Sequence, residues 1–492
     1  MILSIDQSTQ GTKALLLDAD GKLVDIKSLP HKQYIDDKGY VEHDLDEIYQ
    51  NVIAVVKALI KSHPEAYDKI AALGLSVQRE TVAAFSKKTL KPLYHAIVWQ
   101  CARGYDLVKK EEIASKKEEI RKITGLELSE YFSAPKMTWL IDNVSAIKDA
   151  LNNHDLRFGN MDSFLIARLT KGKSFATEPS NASRTMLMDL ERLDYSDELL
   201  DLFRIPKETL PPIISSDSLF GTTTFDGLFD YDIPIYGAIG DSQGALFGHG
   251  CLKSGQVKTT YGTGSSIMMN AGENIGTCKK GIVTSVGWMR ENKVSYVLEG
   301  NINYSAGIIS YLKDDLKLIN SPAETQDLAL KANPKDKTVF VPALSGLGAP
   351  WFNGQVRGSI LGMSRLTTKN EIVKAALDSI VLQVDDVLDL IKKSTDVPIT
   401  ELNVDGGATK NSYLMQAQSD ISDLEVKVPY ENELSGIGAA YLAGIACGLY
   451  DESVLLSQSV QKSYKPSITQ YERLGKKDLW HKAVNTAMSF AN

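Results

Sequence analysis

The chain has 492 residues, of which 43% are hydrophobic and 24% charged, proportions that exclude a disordered or fibrous protein. Lys and Arg total 54 against 62 for Asp and Glu, a formal net charge of -8, and no run of five basic residues occurs. This balance argues against nucleic acid as the main partner, because phosphate neutralisation needs a concentrated basic surface.

At roughly 100–200 residues per domain, the length predicts two to four domains. The first element is a strand, Ile2 to Ile5, with neither the basic start nor the long apolar run of a secretory leader. It enters the polar turn Asp6-Gln7-Ser8-Thr9-Gln10-Gly11-Thr12-Lys13, followed by a strand at Ala14–Leu17 and a second turn, Asp18 to Gly21. Ile48, Val52, Val55, Val56 and Leu59 share one helical face, and Ile70 to Ser76 then reads as a buried strand. Arg79 and Glu80 follow it directly, where ligand-facing residues of α/β sheets sit. Side by side, a charged donor and a charged acceptor suit a polyhydroxyl ligand as well as they suit a surface ion pair.

A further strand, Ile233 to Ile239, leads through Gly240-Asp241-Ser242-Gln243-Gly244 into the helical Ala245-Leu246-Phe247. Three readings stand at this turn. Asp241 is a proton acceptor at a helix N-terminus, or a plain helix cap, or Ser242 is the nucleophile of a G-x-S-x-G elbow. The last needs a downstream histidine, and only His249 and His481 follow. In the second half, Val257–Thr260 precedes Tyr261-Gly262-Thr263-Gly264-Ser265-Ser266 and the strand Ile267–Met269, repeating the pattern of the N-terminus. Thr368 and Glu371 form a capping box ahead of a long helix through Ile372, Ala376, Ile380, Val384, Val387 and Ile391. The strand Leu402–Val404 then ends in Asp405-Gly406-Gly407-Ala408. Alternating strands and helices predict α/β lobes meeting between Phe247 and Gly255. The 17 uncharged residues from Leu434 to Tyr450, rich in Gly and Ala, suit close helix packing and fall short of a membrane span. Cys101, Cys251, Cys278 and Cys447 contain no C-x-x-C, so a reduced, cytoplasmic protein without structural metal is expected.

Neither a P-loop nor a G-x-G-x-x-G follows any strand. Three small polar turns after apolar strands remain (DQSTQGTK, YGTGSS and DGGATKN), and such turns aim backbone N–H groups at phosphate oxygens. Within the first, Lys13 suits a phosphate and Asp6 a divalent cation.

These blocks together resemble the FGGY carbohydrate kinases, most closely their glycerol kinase branch. The match spans nearly the whole chain through Gln78–Thr81, Ala96–Cys101, Asn181–Leu187, Gly240–Gln243, Tyr261–Gly264, Leu347–Trp351 and Val404–Ala408. The resemblance implies an α/β protein of two actin-like, ribonuclease H-like lobes, 1–249 and 250–492, closing on ATP and a polyol. It implies Asp241 as catalytic base and Asp6 as the Mg2+-side carboxylate. Arg79, Glu80, Trp99 and Tyr131 match polyol-holding positions. Thr9, Gln10, Gly11, Lys13, Thr263, Gly407 and Asn411 match nucleotide positions, with Ala306 joining them if the alignment there is ungapped. It also reduces Ser242 to a neighbour of the base.

The chain departs from that pattern at Ser266, where glycerol kinases usually carry a phenylalanine against the substrate, and at Ser242, where they carry a glutamine. Both changes remove bulk, which predicts a wider, more polar pocket for glycerol or a somewhat larger polyol or ketose. Ser8 and Gln10 replace the usual Gly and Thr, and Lys13 keeps the charge of an arginine without its bidentate geometry. The segment Thr224 to Asp232 lacks the histidine that some Gram-positive relatives phosphorylate. The expected activity is therefore ATP-dependent phosphorylation of a terminal hydroxyl of a small polyol, in the cytoplasm, without nucleic-acid or membrane partners. The resemblance allows a homo-oligomer. Pentulose phosphorylation, serine hydrolysis through Ser242 and an ATP-switched binding module are the alternatives.

Overall fold

The computed structural model describes residues 1–275, 280–456 and 460–491, so Cys278 lies outside the described residues. Cys101, Cys251 and Cys447 are free thiols.

Two sheets organise the chain. The first contains β1 (Ile2–Gln7), β2 (Gly11–Leu17), β3 (Leu23–Pro30), β4 (Ala72–Val77), β5 (Leu219–Thr223) and β6 (Ile233–Gly240), in the order β5-β6-β4-β1-β2-β3. The second contains β7 (Gln256–Tyr261), β8 (Ser265–Gly272), β9 (Val283–Arg290), β10 (Lys293–Ile302), β11 (Glu401–Asp405), β12 (Val426–Pro429) and β13 (Val460–Tyr464), in the order β9-β10-β8-β7-β11-β12-β13. Within each sheet a three-stranded antiparallel meander (β1-β2-β3, β7-β8-β10) joins two parallel strands (β4 and β6, β11 and β12). The repeated local pattern of the sequence is thus a repeated topology.

Buried on both faces, β1 and β4 read as continuous apolar runs because helices cover each side. One cover is the helix Leu45–Ser62, capped by the Asp44 carboxylate, which buries Ile48, Val52, Val55, Val56 and Leu59. Over the second sheet lies the helix Lys369–Lys392, opened by the Thr368–Glu371 capping box.

Between the sheets lie two helices, Asp241–Gly248 and Leu434–Ala446. They approach so closely that a Cβ on Gly438 would stand 1.9 Å from the Gly244 carbonyl oxygen. That contact explains the uncharged, glycine-rich stretch, and among the described residues no helix is long and apolar enough to cross a membrane. Leu434–Ala446 comes from the second half of the chain but lies on the first sheet, where Ser4 Oγ donates to the Gly436 carbonyl (2.7 Å). A Cβ on Gly74 would meet the Ala439 carbonyl oxygen at 2.3 Å, so substitution at Gly74 would push this helix away.

Candidate active site

Because β1, β4 and β6 run parallel, their carboxyl ends lie along one edge of the sheet, and β7 and β11 repeat this opposite them. The loops at those ends border a cleft of about 660 Å3. Thr9, Arg79, Glu80, Trp99, Tyr131, Asp241 and Ser242 line it from one side, and Thr263, Gly264, Ser266, Asn301 and Asn303 from the other.

Asp241 opens its helix, and its Oδ1 accepts the Ser242 N–H (2.6 Å) and lies 3.3 Å from Arg79 Nε. Arg79 and Glu80, adjacent in sequence, do not pair with each other. Arg79 donates through both terminal nitrogens to Glu299 (3.1 Å each), while Glu80 accepts from Arg184 Nε. Arg184 also lies 3.1 Å from Glu299, which completes a chain Asp241–Arg79–Glu299–Arg184–Glu80. Burial alone would raise the Glu299 carboxyl, but the Arg79 and Arg184 charges overcome it and hold the group far below the usual carboxylate range. Glu80 adopts a left-handed backbone (φ 59°), uncommon for a residue with a side chain and a mark of local constraint.

The aromatic side of the cleft pairs Trp99 with Tyr131, ring centroids 5.5 Å apart, and Trp99 Nε1 donates to Thr9 Oγ1 (2.9 Å). Beneath Tyr131, the buried Lys136 ammonium binds the carbonyls of Glu130, Tyr131 and Phe132. Burial lowers this amine to about 7, against the nearby Glu80 charge. Ser266 leaves the opposite wall open, and its hydroxyl is directed at Glu299 Oε1 (3.3 Å).

Around the turn after β7, Ser305 and Gly307 N–H donate to the Thr263 carbonyl (2.7 and 3.1 Å), and Ala306 N–H donates to that of Gly262 (3.0 Å). Ala306 is therefore beside the Tyr261–Gly264 turn. Gly406 (φ +95) packs on Tyr261, where a Cβ would meet its carbonyl oxygen at 2.3 Å, so the turn after β11 abuts the turn after β7. Gly407 faces open space, with nothing within 4 Å of where a Cβ would stand, and Asn411 caps the helix Ser412–Ser422.

Of the first polar turn, only Thr9 reaches the cleft wall; Gln10 is exposed, Gly11 begins β2, and Lys13 forms an ion pair with Glu433. Asp6 accepts from Ser76 Oγ (2.8 Å), and burial pushes its carboxyl up to about 6 despite that bond. The charge of Asp241 is near enough to raise it further. No group of three His, Cys, Asp or Glu able to hold a metal exists among the described residues. The Asp6 carboxylate nevertheless fits Mg2+, which takes most of its ligands from water and substrate phosphates.

The hydrolase alternative lacks its base. His249 Nε2 bonds Asp405 (2.8 Å) and His481 Nε2 bonds Asp386 (2.8 Å), and no hydrogen bond among the described residues joins Ser242 to a histidine. Sequence reasoning missed Glu299 altogether and gave Arg184 no role, although it lies in the Asn181–Leu187 block. The available signal for Glu299 was a charged residue inside the apolar run Val297-Leu298-Glu299.

The family model described as the FGGY family of carbohydrate kinases, N-terminal domain, matches residues 1–248, and its C-terminal counterpart matches 257–447. Glycerol kinase of Bacillus licheniformis is 38% identical over 491 residues, covering 99% of both chains. Glycerol kinase 1 of Thermotoga maritima is 40% identical over 490 residues, again covering 99% of each. The crystal structure of Plasmodium falciparum glycerol kinase with ADP superposes with a TM-score of 0.94 at 35% identity, covering 99% of this chain and 98% of that one. A ligand-bound xylulose kinase from Lactobacillus acidophilus shares the fold (TM-score 0.89, 22% identity, 100% and 98% covered). Matched along both halves and across its full-length relatives, the chain belongs to the FGGY family of carbohydrate kinases.

Proposed function

We propose that the protein transfers the γ-phosphoryl group of ATP to a terminal hydroxyl of glycerol or a slightly longer polyol. One observation carries this reading: Asp241 stands in a single cleft between polyol-type residues (Arg79, Glu80, Trp99, Tyr131) and the Thr263–Gly264 turn. Arg79 and Glu80 offer a donor and an acceptor to vicinal hydroxyls, and the tilted Trp99–Tyr131 pair covers the carbon chain. Asp241 Oδ1 is held by Ser242 and Arg79, which orients the carboxylate to take the proton of the attacking hydroxyl. The nucleotide would rest against Thr263, Ala306, Gly407 and Asn411, with Thr9, Gln10, Gly11 and Lys13 on the opposite phosphate turn. Lys13 would exchange its Glu433 partner for phosphate. Mg2+ carried by the nucleotide would be held from the Asp6 side, where it would offset phosphoryl charge.

The test is ADP release against glycerol, erythritol, pentitols, xylulose, ribulose and gluconate. Activity on glycerol or a short polyol is expected, and ADP release with none of the panel overturns the reading. Pentulose-only activity would place the chain with the xylulose or ribulose enzymes instead. Within the same screen, Ser266→Phe should restore bulk opposite Trp99 and shift kcat/KM from longer polyols toward glycerol. The expected shift is about 10- to 200-fold, the discrimination that one methylene-sized mismatch (~1–3 kcal/mol) supplies. An unchanged substrate profile would show that this wall does not set chain length.

A further inference from the structure

We propose that Glu299 is a positioning residue for polyol binding, fixing Arg79 and Arg184 from the opposite lobe; this rests on the polyol kinase reading of the cleft. Glu299 comes from β10 in the second sheet, whereas Arg79 follows β4 of the first and Arg184 belongs to the Asn181–Leu187 block. Its side chain is fully buried and does not line the cleft, so it acts through others. Each oxygen is used: Oε1 accepts from Arg79 Nη2 (3.1 Å) and the Ser266 hydroxyl (3.3 Å), and Oε2 accepts from Arg79 Nη1 (3.1 Å) and forms an ion pair, without a hydrogen bond, with Arg184 Nη1 (3.1 Å). The bidentate fork, with Gln243 Oε1 also accepting from Nη1 (3.3 Å), fixes the plane of the Arg79 guanidinium and leaves Nε toward Asp241 (3.3 Å).

Removing this carboxylate has a definite consequence. Asp241 then becomes the nearest anionic partner of Arg79, and the guanidinium turns toward it. The residue proposed to bind a substrate hydroxyl and the residue proposed to take its proton, joined in the intact site only through Nε, would then pair more tightly. Arg184 meanwhile keeps Glu80 as its partner, so loss of Glu299 is read mainly through Arg79.

The experiment is steady-state kinetics on the full chain with glycerol as acceptor, comparing wild type, Glu299→Gln, Glu299→Asp, Arg79→Lys and the Arg79→Lys/Glu299→Gln double variant. Glu299→Gln should raise the glycerol KM about tenfold to a hundredfold, the loss of one charge-assisted bidentate contact, and lower kcat less. The KM for ATP should stay within about twofold, because no nucleotide-side residue touches the pair. In the Arg79→Lys background the same substitution should add less than about threefold, since residues acting as a unit are not additive. Glu299→Asp keeps the buried charge and should fall between, and it carries the comparison should the Gln variant not fold. An unchanged glycerol KM, an equal rise in the ATP KM, or a full effect in the Arg79→Lys background would each overturn the assignment. Failure of the wild-type enzyme to release ADP with any polyol would instead overturn the functional reading on which it rests.

Discussion

Replacing Asp241 with Asn should lower kcat by about 10²–10⁴-fold, the usual contribution of a positioned general base. The Asn side-chain oxygen can still accept the Ser242 N–H, so the start of the helix Asp241–Gly248 should keep its shape. The carboxylate proposed to accept the proton is lost, and with it the partner of Arg79 Nε. Nucleotide affinity should be nearly unchanged, because the turns after β7 and β11 that would hold ATP do not involve residue 241. Calorimetric titration with ATP beside single-turnover phosphorylation separates the two. Turnover within a few-fold of wild type would remove Asp241 from the role of base.

The second large effect is on stability. Arg184 is buried and holds Glu80 and Glu299 at once, with its guanidinium 5.2 Å from the Phe132 ring centroid. Arg184→Met fills similar volume but strands the buried Glu80 carboxylate and leaves Glu299 with Arg79 alone, which should cost about 3–5 kcal/mol. A fall in the denaturant midpoint and in soluble yield is the measurement. Truncating the exposed Lys207, paired with Asp194, should cost no more than about 1 kcal/mol and serves as the control. Equal losses in the two variants would show that the buried chain of charges contributes nothing special.

The sequence revealed these features unevenly, for physical reasons. Strands such as Ile2–Gln7 and Ala72–Val77 are legible because burial on both faces leaves a mostly apolar stretch broken only by small or terminal polar residues. Their terminal polar residues, Asp6, Arg79 and Asp241, stand out because an α/β sheet puts its ligand loops at strand ends. Glu299 does not stand out, because it lies inside a strand and its partner Arg79 is 220 positions away. No local pattern records a pairing made by two sheets meeting. The direction of Ser266 was equally hidden: loss of bulk is visible in the letter, whereas capture of its hydroxyl by Glu299 depends on β8 and β10 being neighbours. Composition likewise marks Leu434 to Tyr450 for close helix packing without saying that the helix Leu434–Ala446 lies on the first sheet.

The edge of the second sheet at β9 is tied to the first half of the chain near the residues proposed to bind the polyol. Thr284 N–H donates to the Gly125 carbonyl (3.0 Å), Val286 N–H to Ser183 Oγ (3.1 Å), and Ser216 N–H to the Met289 carbonyl (2.8 Å). With Glu299 on the adjacent strand, the residues proposed to bind the polyol are joined to the second sheet by bonds that involve none of the proposed nucleotide residues. Polyol binding is therefore expected not to wait for ATP, and initial-velocity and product-inhibition patterns should be those of a random sequence of addition rather than an obligatory ATP-first order. Such a pocket also admits water when the polyol is scarce, and slow ATP hydrolysis without acceptor is the wasteful side reaction it should display.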